Sequence, residues 1–282
     1  MAEIIQVDEK FEELRRKWFA VDDNLFNILE SIKYRETAFI RMATEQYPKP
    51  TTIRNIKANA LIYLSQNFYR WRFLHQPFNM YASVAVYPNM PMFSWNPEVR
   101  RKEMDDFNDR HQQYMSQYDL LVDIDNRDLK QAYAETYKCK EIFRNEGIPY
   151  TVCFSGNKGF HLRIAYLDFP EWMQRLKCDE LIDLLKRFME NFRTINGLYS
   201  IDLAIYDSRR QAKVPYSVVY PYYLIALPLS DDEFNHFTLE YCSMVYWLDS
   251  ANRRRLYKRG LLKRAGTAEA VGNMIKKYTE LK

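Results

Sequence analysis

Three stretches of the chain gather residue types that can handle phosphate and divalent cations. The first is Tyr118–Asp125, YDLLVDID, a short apolar run that ends in two carboxylates, Asp123 and Asp125. In an extended strand, residues two apart share a face, so both acids project together, and Leu120, Leu121 and Val122 predict a strand buried on both sides. Two adjacent anions repel. A hard cation such as Mg²⁺ or Mn²⁺ neutralises them and keeps positions open for water and phosphate oxygens. Taken alone, the pair could equally be a solvated strand end or cap the next helix, although Asn126 and Asp128 are better placed to cap.

The second stretch is Phe154–His161, FSGNKGFH. It spends two of the seven glycines and one of the four histidines of the whole chain within eight residues. Gly156 and Gly159 let backbone N–H groups approach an anion, while Ser155, Lys158 and His161 offer a hydroxyl, an ammonium and an imidazole. The spacing is neither GxxxxGK[ST] nor GxGxxG, so neither familiar nucleotide loop is present. A plain hairpin with a partly buried histidine is the alternative. The third stretch, Ile201–Ser217, places Asp202 in a short apolar setting and follows it with Arg209, Arg210 and Lys213. By themselves these cations read as surface charge. A third carboxylate with cations able to grip a triphosphate would complete a two-metal phosphoryl-transfer site.

The elements expected to carry these groups follow from periodicity. Residues 118–125 form a strand. Leu129, Ala132, Thr136, Cys139 and Phe143 step at helical spacing, with Gly147 and Pro149 as stop signals. Residues 148–154 and 160–166 are strands on either side of the glycine-bearing loop. A long helical segment runs from about Pro170 to Asn196-Gly197, and residues 199–206 and 214–219 are extended. Upstream, residues 9–33 form two helices parted near Asp22-Asp23. Thr51 or Thr52 caps a helix running to about Ser65, and residues 81–87 are a strand. Residues 98–118, 231–248 and 251–280 are read as helical.

Composition narrows the class. Charged residues make up 28% and hydrophobic residues 47% of 282 residues, which fits a globular protein with a substantial core. Twenty-two Tyr and 17 Phe suit a packed core and also supply platforms for base stacking. No run is long and apolar enough to span a membrane, and the charged first residues do not resemble a secretory signal, so an intracellular location is expected, in cytoplasm and nucleoid or in a nucleus. Cys139, Cys153, Cys178 and Cys242 are scattered without a CxxC or CxxH pair, so neither zinc nor a disulfide framework is expected. Net charge is +4, yet residues 251–282 hold ten Lys or Arg against two Glu, which leaves the rest of the chain acidic. That asymmetry suggests a polyanionic partner, with a solvated helical face as the alternative.

In order, DID at 123–125, SGNKGFH at 155–161 and IDLAIYDSRRQAKVPYS at 201–217 resemble motifs I, II and III of the archaeo-eukaryotic primases: hDhD, SGxxGhH, and hD followed by a basic stretch ending near Pro-x-Ser. Tyr34–Phe39, YRETAF, resembles more weakly a segment that precedes them in that family. The resemblance implies an α+β fold, an RNA-recognition-motif-like sheet packed with a second αβ module and flanked by peripheral helices. The catalytic domain would occupy residues 1–250 and a basic helical segment residues 251–282.

The resemblance also implies roles. Asp123, Asp125 and Asp202 would bind two divalent ions, Mg²⁺ or Mn²⁺. Ser155, Lys158 and His161 would contact nucleotide phosphates, assisted by Arg209, Arg210 and Lys213. Arg35 would touch nucleotide or template, or form a structural salt bridge, and Arg253, Arg254, Arg255, Lys258 and Arg259 would lie near the template backbone. The implied activity is primer synthesis from nucleoside triphosphates on single-stranded DNA. A repair-type polymerase that only extends ends, and a catalytically silent nucleic-acid-binding subunit, are the alternatives. Whether ribo- or deoxynucleotides are used, and whether a large accessory subunit or a helicase takes part, stays open. Three features depart from the family: Val218-Val219-Tyr220 stands where a histidine is frequent, no zinc knuckle is visible, and Lys213 replaces a frequent arginine, keeping charge but losing the bidentate fork.

Overall fold

Strands form where β-branched and aromatic residues gather between turn residues. In the computed structural model they are, in chain order, β1 (Glu36–Arg41), β2 (Thr51–Lys57), β3 (Pro77–Ser83), β4 (Ala85–Val86), β5 (Gln117–Tyr118), β6 (Leu120–Asp125), β7 (Thr151–Phe154), β8 (Gly159–Ile164), β9 (Gln211–Lys213), β10 (Val218–Val219), β11 (Leu224–Ile225) and β12 (Leu227–Pro228). The structure describes residues 9–32, 34–41, 51–57, 77–88, 96–249, 251–252 and 261–280. The chain divides into two compact units: the first takes Met1–Ala82, Phe154–Asn157 and Gln211–Leu261, the second Ser83–Cys153, Lys158–Arg210 and Leu262–Lys282. The glycine-bearing loop therefore changes unit between Asn157 and Lys158.

The first unit carries a sheet ordered β2-β1-β3-β9, with β1 antiparallel to both β2 and β3. Two helices, Glu9–Phe19 and Asp22–Ile32, precede it as expected. Trp18 is fully buried and its indole N–H donates to the Tyr216 carbonyl at 3.0 Å. Phe11 meets Tyr220 and Tyr223 edge-on. The helix expected from Thr51 is corrected: residues 51–57 are β2, paired antiparallel along β1. Thr51, Thr52, Ile53 and Ile56 are β-branched, and their strand preference outweighed the capping signal. The remainder of that expected helix, 58–65, lies outside the described residues.

In the second unit β7, β8 and β6 lie side by side in that order, and β6 runs antiparallel to β8. Leu120, Leu121, Val122 and Ile124 are all buried, so β6 is covered on both faces, as its unbroken apolar run requires. Helix Leu129–Asn145 buries Ala132, Thr136, Cys139 and Phe143 at the spacing read from the sequence. It starts at Asp128, whose Oδ1 accepts the Lys130 N–H at 2.9 Å, so Asp123 and Asp125 are not spent on capping. Helix Cys178–Asn196 ends at Gly197 in the left-handed region, φ 59.

Three expected segments differ. Residues 203–205 form a 3₁₀ turn rather than a strand, because the Asp202 carboxylate caps it through the Ala204 N–H at 2.8 Å. Residues 231–248 split into helices Asp231–Asn235 and Met244–Leu248 around a 3₁₀ turn, each with its own serine cap. Residues 262–267 are irregular: the Arg264 N–H donates to the Tyr150 carbonyl at 2.7 Å, and the helix begins only at Ala268, capped by Thr267. Helix Ala268–Thr279 buries Val271, Met274 and Ile275, and its Tyr278 ring packs 5.1 Å from Phe192 and 5.8 Å from Phe188. No helix among the described residues is long and apolar enough to cross a membrane.

Candidate active site

The β6–β8 register sets the site. Asp123 pairs with His161, Ile124 with Phe160 and Asp125 with Gly159. Opposite residues in a ladder project to the same side, and His161 Nε2 lies 3.3 Å from Asp123 Oδ1. Gly159 is required by this approach. A Cβ there would sit 2.0 Å from the Ile124 carbonyl oxygen and 2.5 Å from Asp125 Oδ1. Lys158 Nζ reaches Asp125 Oδ2 at 3.3 Å, and the Lys158 carbonyl accepts the Asn126 N–H at 3.2 Å. The end of the glycine loop is thus fastened to the acidic end of β6.

Asp202 arrives from the far side of the sequence. Ile201 bridges Ile124, and two backbone bonds flank that bridge: Asp125 N–H to the Ser200 carbonyl at 2.9 Å and Asp202 N–H to the Asp123 carbonyl at 2.8 Å. The backbone that carries Asp202 is therefore tied to the acidic end of β6 through one short β-bridge. Below it Tyr206 is buried and donates to the Leu121 carbonyl at 2.8 Å, which ties the 3₁₀ turn to β6. Tyr118 does the same from β5, donating to the Ile205 carbonyl at 2.7 Å.

Among the described residues, no three Asp, Glu, His or Cys side chains group closely enough to hold a metal ion. Asp125 Oδ2 faces Lys158, and Asp202 Oδ1 accepts the Ala204 N–H. Asp123 differs. Its Oδ1 is buried and makes no well-aligned hydrogen bond, with His161 Nε2 facing it at 3.3 Å, which is costly for a carboxylate oxygen. A buried carboxylate oxygen without a hydrogen bond is the kind of ligand a hard divalent cation takes, so Asp123 fits such an ion.

The remaining expected residues are distributed as follows. Arg209 and Arg210 are exposed on the turn after Asp207, whose carboxylate accepts the Arg209 N–H. Ser155 is buried and belongs, with Gly156 at φ 90, to the first unit, where a Cβ on Gly156 would overlap Val219. Lys213, also in the first unit, donates to Asn79 Oδ1 at 3.2 Å and the Tyr81 hydroxyl at 3.0 Å, with its ammonium 4.1 Å from the Tyr81 ring centre. Asn79 and Tyr81 escaped the sequence reading, since nothing in their spacing connects them to Lys213. Arg35 is half-buried in the turn before β1. Arg253, Arg254, Arg255, Lys258 and Arg259 lie outside the described residues.

No protein-family model matches the chain, and no curated protein matches it. Among solved structures it is similar to the polymerase domain of Mycobacterium tuberculosis Ligase D in complex with DNA, with a TM-score of 0.51 and 14% identity over 89% of this chain and 93% of that one. It is also similar to the catalytic domain of primase RepB' in complex with initiator DNA, with a TM-score of 0.39 and 13% identity over 84% of this chain and 100% of that one. The fold assignment rests on the first of these. The chain thus shares the fold of that polymerase domain, α+β with helices around its sheets, which agrees with the α+β architecture expected from the sequence.

Proposed function

We propose that this protein is a nucleotidyltransferase that joins nucleoside triphosphates into a strand on a single-stranded DNA template, as a primase or primase-polymerase. The observation that carries this reading is the convergence on β6: Asp123 opposite His161, with the Asp202 amide bonded to the Asp123 carbonyl. Three stretches far apart in sequence meet within a few residues of one strand end. The Ligase D polymerase domain was solved with DNA, which supports DNA as the polymer acted on here.

In this reading Asp123, Asp125 and Asp202 hold two divalent cations, Mg²⁺ or Mn²⁺, whose chemistry is to ease ionisation of the attacking 3′-hydroxyl and to offset charge on the departing pyrophosphate. The chain's own cationic groups act on the phosphates. Lys158 is exposed enough to leave Asp125 for a triphosphate, and His161, held beside Asp123, offers a ring nitrogen to a phosphate oxygen. Arg209 and Arg210 add exposed guanidinium groups on the turn that follows Asp202. The roles of Ser155 and Lys213 stand on the motif resemblance.

The test is synthesis on single-stranded DNA with Mg²⁺ or Mn²⁺ and labelled ribo- or deoxynucleotides, comparing the wild type with Asp123→Asn plus Asp125→Asn. The pair of substitutions is expected to lower the rate by about a hundredfold or more. Undiminished synthesis would remove the acids from the chemistry. Unprimed and primed templates run side by side separate initiation from extension alone.

A further inference from the structure

We infer that Glu135 and Ser200 form a buried clamp that positions Asp202 against β6, and that Asn126 couples this clamp to the glycine-bearing loop. The role in metal binding rests on the reading given under Proposed function; the geometry stands without it. Asp202 is held to β6 by one bridge and its two flanking backbone bonds, a short attachment for a group whose direction matters. A slip by one residue would turn its side chain to the opposite side.

The clamp acts two residues before Asp202. The Glu135 carboxylate, on helix Leu129–Asn145, is buried and accepts the Ser200 N–H through Oε2 at 2.8 Å. Its Oε1 accepts the Ser200 hydroxyl at 2.8 Å and Gln131 Nε2 at 2.9 Å. The Ser200 hydroxyl in turn accepts Asn126 Nδ2 at 2.8 Å, and the Ser200 carbonyl accepts the Asp125 N–H. Ser200 thus uses its N–H, hydroxyl and carbonyl in a single arrangement, which fixes both its position and its rotation. Asn126 also donates its N–H to the Lys158 carbonyl, and its Oδ1 accepts the Asp128 N–H that opens the helix.

One residue after the acidic pair therefore touches the loop, the helix start and the segment that delivers the third acid. Groups that orient a ligand-bearing segment through hydrogen bonds are positioning residues, and removing them costs about 10–100-fold in metal affinity in known sites. A buried carboxylate accepting three hydrogen bonds is also well satisfied, so it needs no cation beside it. Glu135 lies between the first and second motifs and Ser200 directly precedes the third, so both fall outside them.

The experiment compares wild type, Ser200→Ala, Ser200→Thr, Asp202→Asn and the double variant Ser200→Ala/Asp202→Asn. Hydrogen exchange of the metal-free protein is read over residues 198–204, and Mn²⁺ binding is titrated by electron paramagnetic resonance without nucleotide. Ser200→Ala is expected to speed exchange in that segment and to weaken Mn²⁺ binding about tenfold, and Ser200→Thr, which keeps the hydroxyl, to restore both. In the Asp202→Asn background, Ser200→Ala should weaken Mn²⁺ no further, a non-additivity that general destabilisation would not produce. Unchanged exchange in Ser200→Ala, or an equal loss of Mn²⁺ affinity in both backgrounds, overturns the clamp. Faster exchange restored by threonine, with Asp202→Asn binding Mn²⁺ as the wild type does, upholds the clamp and defeats the metal reading instead.

Discussion

At the scale of single residues, chemistry and fold draw on the same atoms. Asp123 uses its carbonyl to hold the Asp202 backbone, while its buried Oδ1 faces His161 Nε2 at 3.3 Å without a well-aligned hydrogen bond. Lys158 uses its carbonyl to fasten the loop to Asn126 and its ammonium to face Asp125. The two tasks are separable for Lys158. The ion pair is half-exposed, and such pairs contribute at most about 1 kcal/mol. Lys158→Ala should therefore raise the nucleotide KM several-fold in steady-state synthesis while the thermal midpoint stays near the wild-type value. A large fall in that midpoint with an unchanged KM would make Lys158 a structural residue only.

At the scale of elements, short pieces are held by tyrosine hydroxyls rather than by long ladders. The 3₁₀ turn after Asp202 has few backbone bonds of its own. It is tied down by Tyr206 on the Leu121 carbonyl and Tyr118 on the Ile205 carbonyl. Burial pushes both phenols well above their usual value of 10.0, so the folded protein holds these protons where the unfolded chain would release them. Below about pH 10 both states keep the phenol protonated and the full contribution is present; above it only the unfolded chain ionises, and stability falls as pH rises. Urea unfolding across about pH 9–11 should show this decline, and Tyr206→Phe should make it shallower. Tyr206→Phe should also cost about 1 kcal/mol near neutrality, because the Leu121 carbonyl loses its donor. An equally steep alkaline slope in the variant would assign the decline to other groups.

At the scale of the whole molecule, the chain builds two units from segments that alternate along the sequence, and the last described helix belongs to the second. Helix Ala268–Thr279 covers Phe188 and Phe192, and its lysines are engaged: Lys277 with Glu146 at 2.6 Å and Lys276 over the Trp172 ring. Removing the C-terminal basic segment wholesale would therefore strip part of a core. The cleaner test of its charge is Arg253, Arg254, Arg255, Lys258 and Arg259 changed together to glutamine. Single-stranded DNA binding should weaken, and the slope of log K against log salt should flatten by about 0.7 for each phosphate that is no longer neutralised. An unaltered slope would place the template-binding cations elsewhere.

The order of motifs was legible in the sequence because each rests on local rules. An apolar run ending in DID must be a buried strand with two acids on one side, and Gly156 and Gly159 mark backbone that has to turn or come close. The helix after DID was legible for the same reason, since Ala132, Thr136, Cys139 and Phe143 repeat at helical spacing. What local rules could not carry was the fate of Thr51–Lys57, where a partner strand decided between a cap and a ladder, and the turn at Leu203–Ile205, where one carboxylate capped itself out of a strand. Nor does any spacing connect Glu135 to Ser200. Helix packing brings that side chain against a segment 65 residues away, and only folding joined the two groups that bind at Ser200, where the segment carrying Asp202 meets β6.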